Sequence, residues 1–125
     1  MPRCRIDLAS PTFRRLVAEY QRRYPRTKKD LTDAFNRIEQ DPEHAAHARR
    51  MVGFGPGVWK YRCKHSDVSR GVRGGYRIVA MYDARHAILR PIVLYAKVDM
   101  GDVSAEAVRR AVEELREVLR AVPPA

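Results

Sequence analysis

Val58-Trp59-Lys60-Tyr61-Arg62-Cys63-Lys64-His65 alternates in side-chain character. Successive side chains of a strand point to opposite faces, so Trp59, Tyr61 and Cys63 share one face while Val58, Lys60, Arg62 and Lys64 share the other. The first set suits a core. Three cations at i, i+2 and i+4 do not, so the stretch reads as a strand that buries one side and shows charge on the other.

The segments around it extend the same sheet. Residues 66–75 are polar, basic and glycine-containing, which predicts a loop. Tyr76 to Asp83 is rich in β-formers; Tyr76, Ile78, Ala80 and Tyr82 form its core set and leave Arg77 on the basic face. Residues 83–87 make a turn. Residues 88–98 form a further strand, in which Pro91 requires an edge position or a bulge. Both connections are short enough for antiparallel pairing. Upstream, Gly53, Gly55, Pro56 and Gly57 break up a connector that lacks the Gly-Lys-Ser/Thr ending of a phosphate-binding loop.

The two ends are helical, apart from an alternating strand at residues 3–8. Ser10 caps a helix with Pro11 in its first turn, and Phe13, Leu16, Val17 and Tyr20 recur at helical spacing up to Tyr24-Pro25. Thr27 is expected to cap a second helix, striped by Leu31, Ala34, Phe35 and Ile38 and ended by Asp41-Pro42. Ser104 caps a last helix with an apolar stripe from Val108 to Val122, stopped by Pro123-Pro124. The order is β-α-α-β-β-β-α. It predicts one α+β domain over residues 1–125: a small, mostly antiparallel sheet packed against an N-terminal helical hairpin, plus a C-terminal helix, with the basic residues facing away from the hairpin.

At 125 residues the chain can fold around one core. No apolar run approaches the roughly 18 residues of a membrane span, and the opening Met1-Pro2-Arg3-Cys4-Arg5 holds no apolar stretch, so a cytoplasmic location is expected. Lys and Arg number 25 against 15 acids, a net of +10. Residues 44–98 hold eleven of those cations and only Asp67 and Asp83, a net of +9, while the remainder nets +1 from 14 basic and 13 acidic residues. A field concentrated in this way attracts a polyanion: nucleic acid, an acidic protein or anionic lipid.

Cys4 and Cys63 stand far apart with no histidine at metal spacing, and the four histidines are scattered, so no metal or other cofactor is expected. His44 and His47, three apart, read as surface residues at a helix end. No strained nucleophile turn is present, Cys63 falls on the core face, and the basic segment has no paired carboxylates for a two-metal nuclease. Metal-free phosphodiester chemistry on RNA remains. There the ribose 2′-OH is the nucleophile, and the protein orients it and stabilises the phosphorane charge. Lys60, Arg62, Arg77 and Lys97 suit that task. The base is open between a lysine among other cations and His65 beside Asp67, although for His65 a strand-end residue without a role is the stronger reading.

The connector into Trp59-Lys60-Tyr61-Arg62, the run Gly71-Val72-Arg73-Gly74-Gly75-Tyr76-Arg77-Ile78-Val79, and Leu94-Tyr95-Ala96-Lys97 followed by Asp102, Ser104 and Glu106 together resemble the RelE/ParE toxin superfamily. The closest likeness is to RelE/HigB-type toxins of type II toxin–antitoxin systems, and it covers nearly the whole chain. The resemblance implies a compact RelE-like fold and a metal-independent endoribonuclease, an mRNA interferase. Such a toxin enters the ribosomal 30S A site and cleaves mRNA through the 2′-OH, leaving a 2′,3′-cyclic phosphate and a 5′-OH. It implies catalytic roles for four residues. Lys60 or Arg62 would steer the phosphate and help activate the 2′-OH, Arg77 would stabilise the transition state, and Lys97 would support charge on the phosphate or leaving oxygen. Lys64, Arg70, Arg73 and Arg90 are further candidates for RNA binding. Implied partners are mRNA, the ribosome and a cognate antitoxin with an acidic binding surface, and no membrane. The chain departs from the RelE archetype at Val98, where that pattern has arginine, and in having no tyrosine within residues 99–104; HigB-like members tolerate both. Alternatives are a ParE-like inhibitor of DNA gyrase, which needs no phosphate cradle, and a non-catalytic RNA- or ribosome-binding domain.

Overall fold

The computed structural model describes residues 3–68 and 75–121. In chain order it contains β1 (Arg5–Ile6), α1 (Pro11–Arg23), α2 (Thr27–Gln40), a 3₁₀ turn (Ala45–His47), β2 (Arg49–Arg50), β3 (Val58–Cys63), β4 (Tyr76–Asp83), β5 (Ile88–Ala96) and α3 (Ala105–Ala121). One mixed five-stranded sheet has the order β1-β5-β4-β3-β2, with β1 parallel to β5 and every other pairing antiparallel. The α+β class and the mostly antiparallel sheet agree with the sequence.

Both sheet faces are covered, by different helices. Tyr61, Cys63, Tyr76, Ile78, Ala80 and Tyr82 pack with Phe13, Tyr20, Leu31, Ala34 and Ile38 of the α1–α2 hairpin. On the opposite face Val58, Val79, Ile92, Val93 and Tyr95 pack with Val108, Ala111, Val112 and Leu115 of α3. The face away from the hairpin is thus only partly basic, because α3 claims its apolar portion. β4 and β5 are buried on both sides, which is why they read as runs of apolar residues rather than as alternation.

Several boundaries differ from expectation. The first strand is two residues long, β3 stops at Cys63 and β5 at Ala96. The strand β2 and the 3₁₀ turn before it were not anticipated; two residues carry no readable period. Thr27 is the first residue of α2, not its cap, and its hydroxyl bonds the Tyr24 carbonyl and, at 2.6 Å, the Tyr76 hydroxyl. Ser10 does cap α1, accepting the Phe13 N–H at 3.1 Å, and Ser104 accepts the Ala107 N–H. The bulge required by Pro91 is present. Val79 pairs with Val93 and Ala80 with Pro91, so Ile92 is the extra residue. Gly57, at φ +76°, brings the end of the glycine connector against β4, where a Cβ would lie 2.4 Å from the Tyr82 carbonyl oxygen.

His65 follows β3 on the hairpin side, fully buried. Its ring stacks on Tyr76 with centroids 4.1 Å apart and meets the Tyr24 ring edge-on, and neither ring nitrogen has a hydrogen-bond partner. Burial holds its pKa below the ordinary histidine value, against the opposing pull of Asp67 and Asp30. The imidazole is therefore neutral when folded, and the unfolded chain takes up the extra proton. Stability should fall as pH drops through the ordinary value of about 6.5 and be fully present above it. His65→Phe keeps the stack without the titration, so its melting temperature should change less between pH 7.5 and 5.5 than that of the wild type. Exposed His44, whose pKa is raised by its hydrogen bond to Asp41, works weakly in the other direction. Equal slopes for the two proteins would assign the acid sensitivity elsewhere.

Candidate functional site

Beside α3, the far face of the sheet opens into a cleft of about 460 Å³ lined by His47, Ala48, Arg49, Lys60, Tyr61, Arg62, Arg77 and Lys97. Strand register builds it. Arg49 of β2 stands opposite Lys60 of β3, and Arg62 of β3 stands opposite Arg77 of β4. Like charges directly across antiparallel strands destabilise a sheet, and two such pairs adjoin here. Lys97, just beyond β5, closes one end. All four residues assigned catalytic roles above therefore converge on one concavity, together with Arg49.

Arg77 is the most deeply placed, 6 % exposed. Its guanidinium donates to the Tyr76 carbonyl at 3.3 Å. Burial lowers its pKa, and the neighbouring Arg62 charge lowers it further. Both causes penalise the cation, and both would be relieved by an anion in the cleft. Lys60 is held from the opposite side, with its ammonium 3.5 Å from Asp102. The same Asp102 oxygen accepts the Tyr95 hydroxyl at 2.6 Å and the Val103 N–H at 2.9 Å. The Tyr95 hydroxyl in particular, then the Val103 amide and Lys60, hold the Asp102 carboxyl below the usual range. Asp102 is thus an anchor for Lys60 and a poor proton acceptor. Tyr95, its own pKa raised by burial and by Asp102, serves only as a donor. The Lys97 ammonium donates to the Gly101 carbonyl at 2.6 Å and its N–H to the Gly75 carbonyl, which fix its stem at the cleft mouth.

The other sequence candidates scatter. Lys64 is exposed past the end of β3. Arg70 and Arg73 lie outside the described residues. Arg90 does not belong to the cleft: it pairs with Asp7 at 2.9 Å, both side chains mostly covered, and stands opposite Met81, about 13 Å along β4 from Arg77. The Asp7 carboxylate already neutralises it. His65 is on the hairpin face, and Asp67 accepts the Arg26 N–H, so the pair considered as a base does not reach the cleft. Cys63 is buried with its thiol pushed up to about 12, and burial raises that of Cys4 to about 11, so neither is a thiolate nucleophile at neutral pH. Among the described residues no three potential metal ligands cluster.

One lining residue was read differently in the sequence. His47 reaches the cleft from the 3₁₀ turn ahead of β2, and both it (φ +55°) and Ala46 (φ +54°) occupy the left-handed region. For residues that are not glycine this costs about 1–2 kcal/mol each. The only sequence hint was the His44–His47 spacing, which says nothing about backbone handedness.

What the arrangement can do is hold a phosphate between cross-strand cations and stabilise added negative charge on it. Comparison with protein-family models gives no match for this chain, and comparison with curated proteins gives no significant one. Among the described residues no helix is long and apolar enough to cross a membrane.

Proposed function

We propose that the protein is the toxin of a type II toxin–antitoxin pair, a ribosome-dependent endoribonuclease of the RelE/HigB kind that cleaves mRNA in the A site. The observation that carries this reading is the pair of cross-strand cation pairs, Arg49–Lys60 and Arg62–Arg77, converging with Lys97 in one cleft. A fold tolerates such repulsion at a site where a polyanion relieves it. The sequence resemblance supplies the reaction class, and the cleft supports it by offering cations at the four positions the resemblance singles out. In this reading Arg62 and Arg77 grip the scissile phosphate, Lys60, oriented by Asp102, stabilises the phosphorane oxygens, and Lys97 neutralises the departing 5′-oxygen. The antitoxin would mask the cleft with carboxylates.

Mapping RNA ends on a defined mRNA in a reconstituted translation system tests the proposal. The expected result is cuts within A-site codons, 2′,3′-cyclic phosphate upstream and 5′-OH downstream, absent without ribosomes. Intact mRNA together with blocked gyrase supercoiling would replace this reading by the ParE-like one. Intact mRNA with salt-sensitive ribosome binding would leave a non-catalytic binder.

A further inference from the structure

Resting on the ribonuclease reading, we infer that His47 is the proton acceptor that activates the 2′-OH in the cleft. The cations can hold and stabilise the phosphate, but a transesterification also needs somewhere for the 2′ proton to go. Arginine does not accept it, and both cleft ammonium groups are engaged, Lys60 by the Asp102 carboxylate and Lys97 by the Gly101 carbonyl. Asp102 is engaged by Tyr95, Val103 and Lys60. Tyr61 directs its hydroxyl away, to the Pro42 carbonyl. That leaves His47, exposed at the rim, whose ring makes no hydrogen bond among the described residues.

Backbone conformation is the second observation. Two successive non-glycine residues in the left-handed region direct the chain from α2 into β2 and bring His47 to the cleft. Such strain persists where surrounding structure over-determines it, and it clusters at functional sites. The charged groups around His47 are Arg49, Lys60, Arg62, Arg77 and Lys97 in the cleft. Asp41, Glu43 and His44 lie on the approaching chain, and Arg37 and Glu39 near the end of α2, which packs on the same turn.

The step balances without water. His47 takes the 2′ proton and the 2′-oxygen bonds to phosphorus. The P–O5′ bond then breaks, and the 5′-oxygen takes a proton from a cleft ammonium, that of Lys60 or Lys97. The ammonium regains its proton, and His47 loses the one it took, through solvent.

His47→Gly and His47→Asn decide the matter, because both residues accept the left-handed backbone and neither is expected to damage the fold. Single-turnover cleavage on programmed ribosomes at pH 7 should fall by about 10²–10⁴-fold in each. Whatever part of the wild-type pH–rate profile belongs to His47 should disappear, while ribosome binding stays unchanged. With an mRNA whose scissile 5′-oxygen is replaced by sulfur, a leaving group that needs no proton, the deficit should persist. Wild-type cleavage with an unaltered rate and pH profile in both variants would overturn the role of His47 and leave the nuclease reading standing. Recovery on the sulfur substrate would likewise overturn it, by moving His47 to the leaving-group side. No cleavage by wild type would end the reading and this inference together.

Discussion

Arg77→Ala is expected to reduce mRNA cleavage by about 10²–10³-fold, the usual loss when one preorganised donor to a transition-state oxyanion is removed. The side chain is buried against the sheet, and its pKa is lowered by burial and by Arg62. A phosphorane gains charge relative to the ground-state phosphate, so a guanidinium held in place beforehand contributes more to the transition state than to binding. Affinity for ribosomes should fall much less than rate. Stability should move by no more than about 1 kcal/mol, because truncation loses packing but also removes the repulsion across from Arg62. Arg77→Lys separates charge from geometry: it keeps the cation, loses the planar fork, and should recover only part of the rate. Single-turnover kinetics beside thermal melts measure both. Cleavage by Arg77→Ala within about threefold of wild type, on a folded protein, would remove Arg77 from the mechanism.

The cleft could be read from sequence largely because β3 obeys a strict period of two, and because Arg77 breaks the apolar run of β4. Where that period fails, so did the reading. α3 carries a clear stripe, but a stripe says that a helix is buried and not against which face; only Val58, Val79 and Tyr95 meeting Val112 and Leu115 settle that. Arg90 looked like one more cation of the basic segment because the carboxylate that neutralises it, Asp7, is 83 residues away. Asp102 figured only as part of a resemblance; its grip on Lys60 and Tyr95 depends on the turn after β5 folding back over the sheet. His47 was hidden for a different reason. Left-handed backbone is usually announced by glycine or asparagine, and the residues here are alanine and histidine.

Ribosome or RNA binding should weaken steeply with salt, and Arg62 and Arg90 should differ in how much they matter. If the five cleft cations each displace counterions from single-stranded RNA, the logarithm of affinity should fall with the logarithm of salt at a slope of about −3.5, or about 100-fold between 50 and 200 mM. A chain of net charge +10 would bind polyanions to some degree whatever its fold, so the slope alone does not locate the contact. Paired substitutions do. Arg62→Gln removes a cleft cation and should flatten the slope by about 0.7, whereas Arg90→Gln removes the same formal charge from an internal ion pair with Asp7. The second variant should bind with the wild-type slope and show its effect in stability instead, since it leaves Asp7 without its partner. Were binding governed by overall charge, the two variants would be indistinguishable. Equal slopes for Arg62→Gln and Arg90→Gln would therefore count against the cleft as the RNA contact, even if both bound more weakly than wild type.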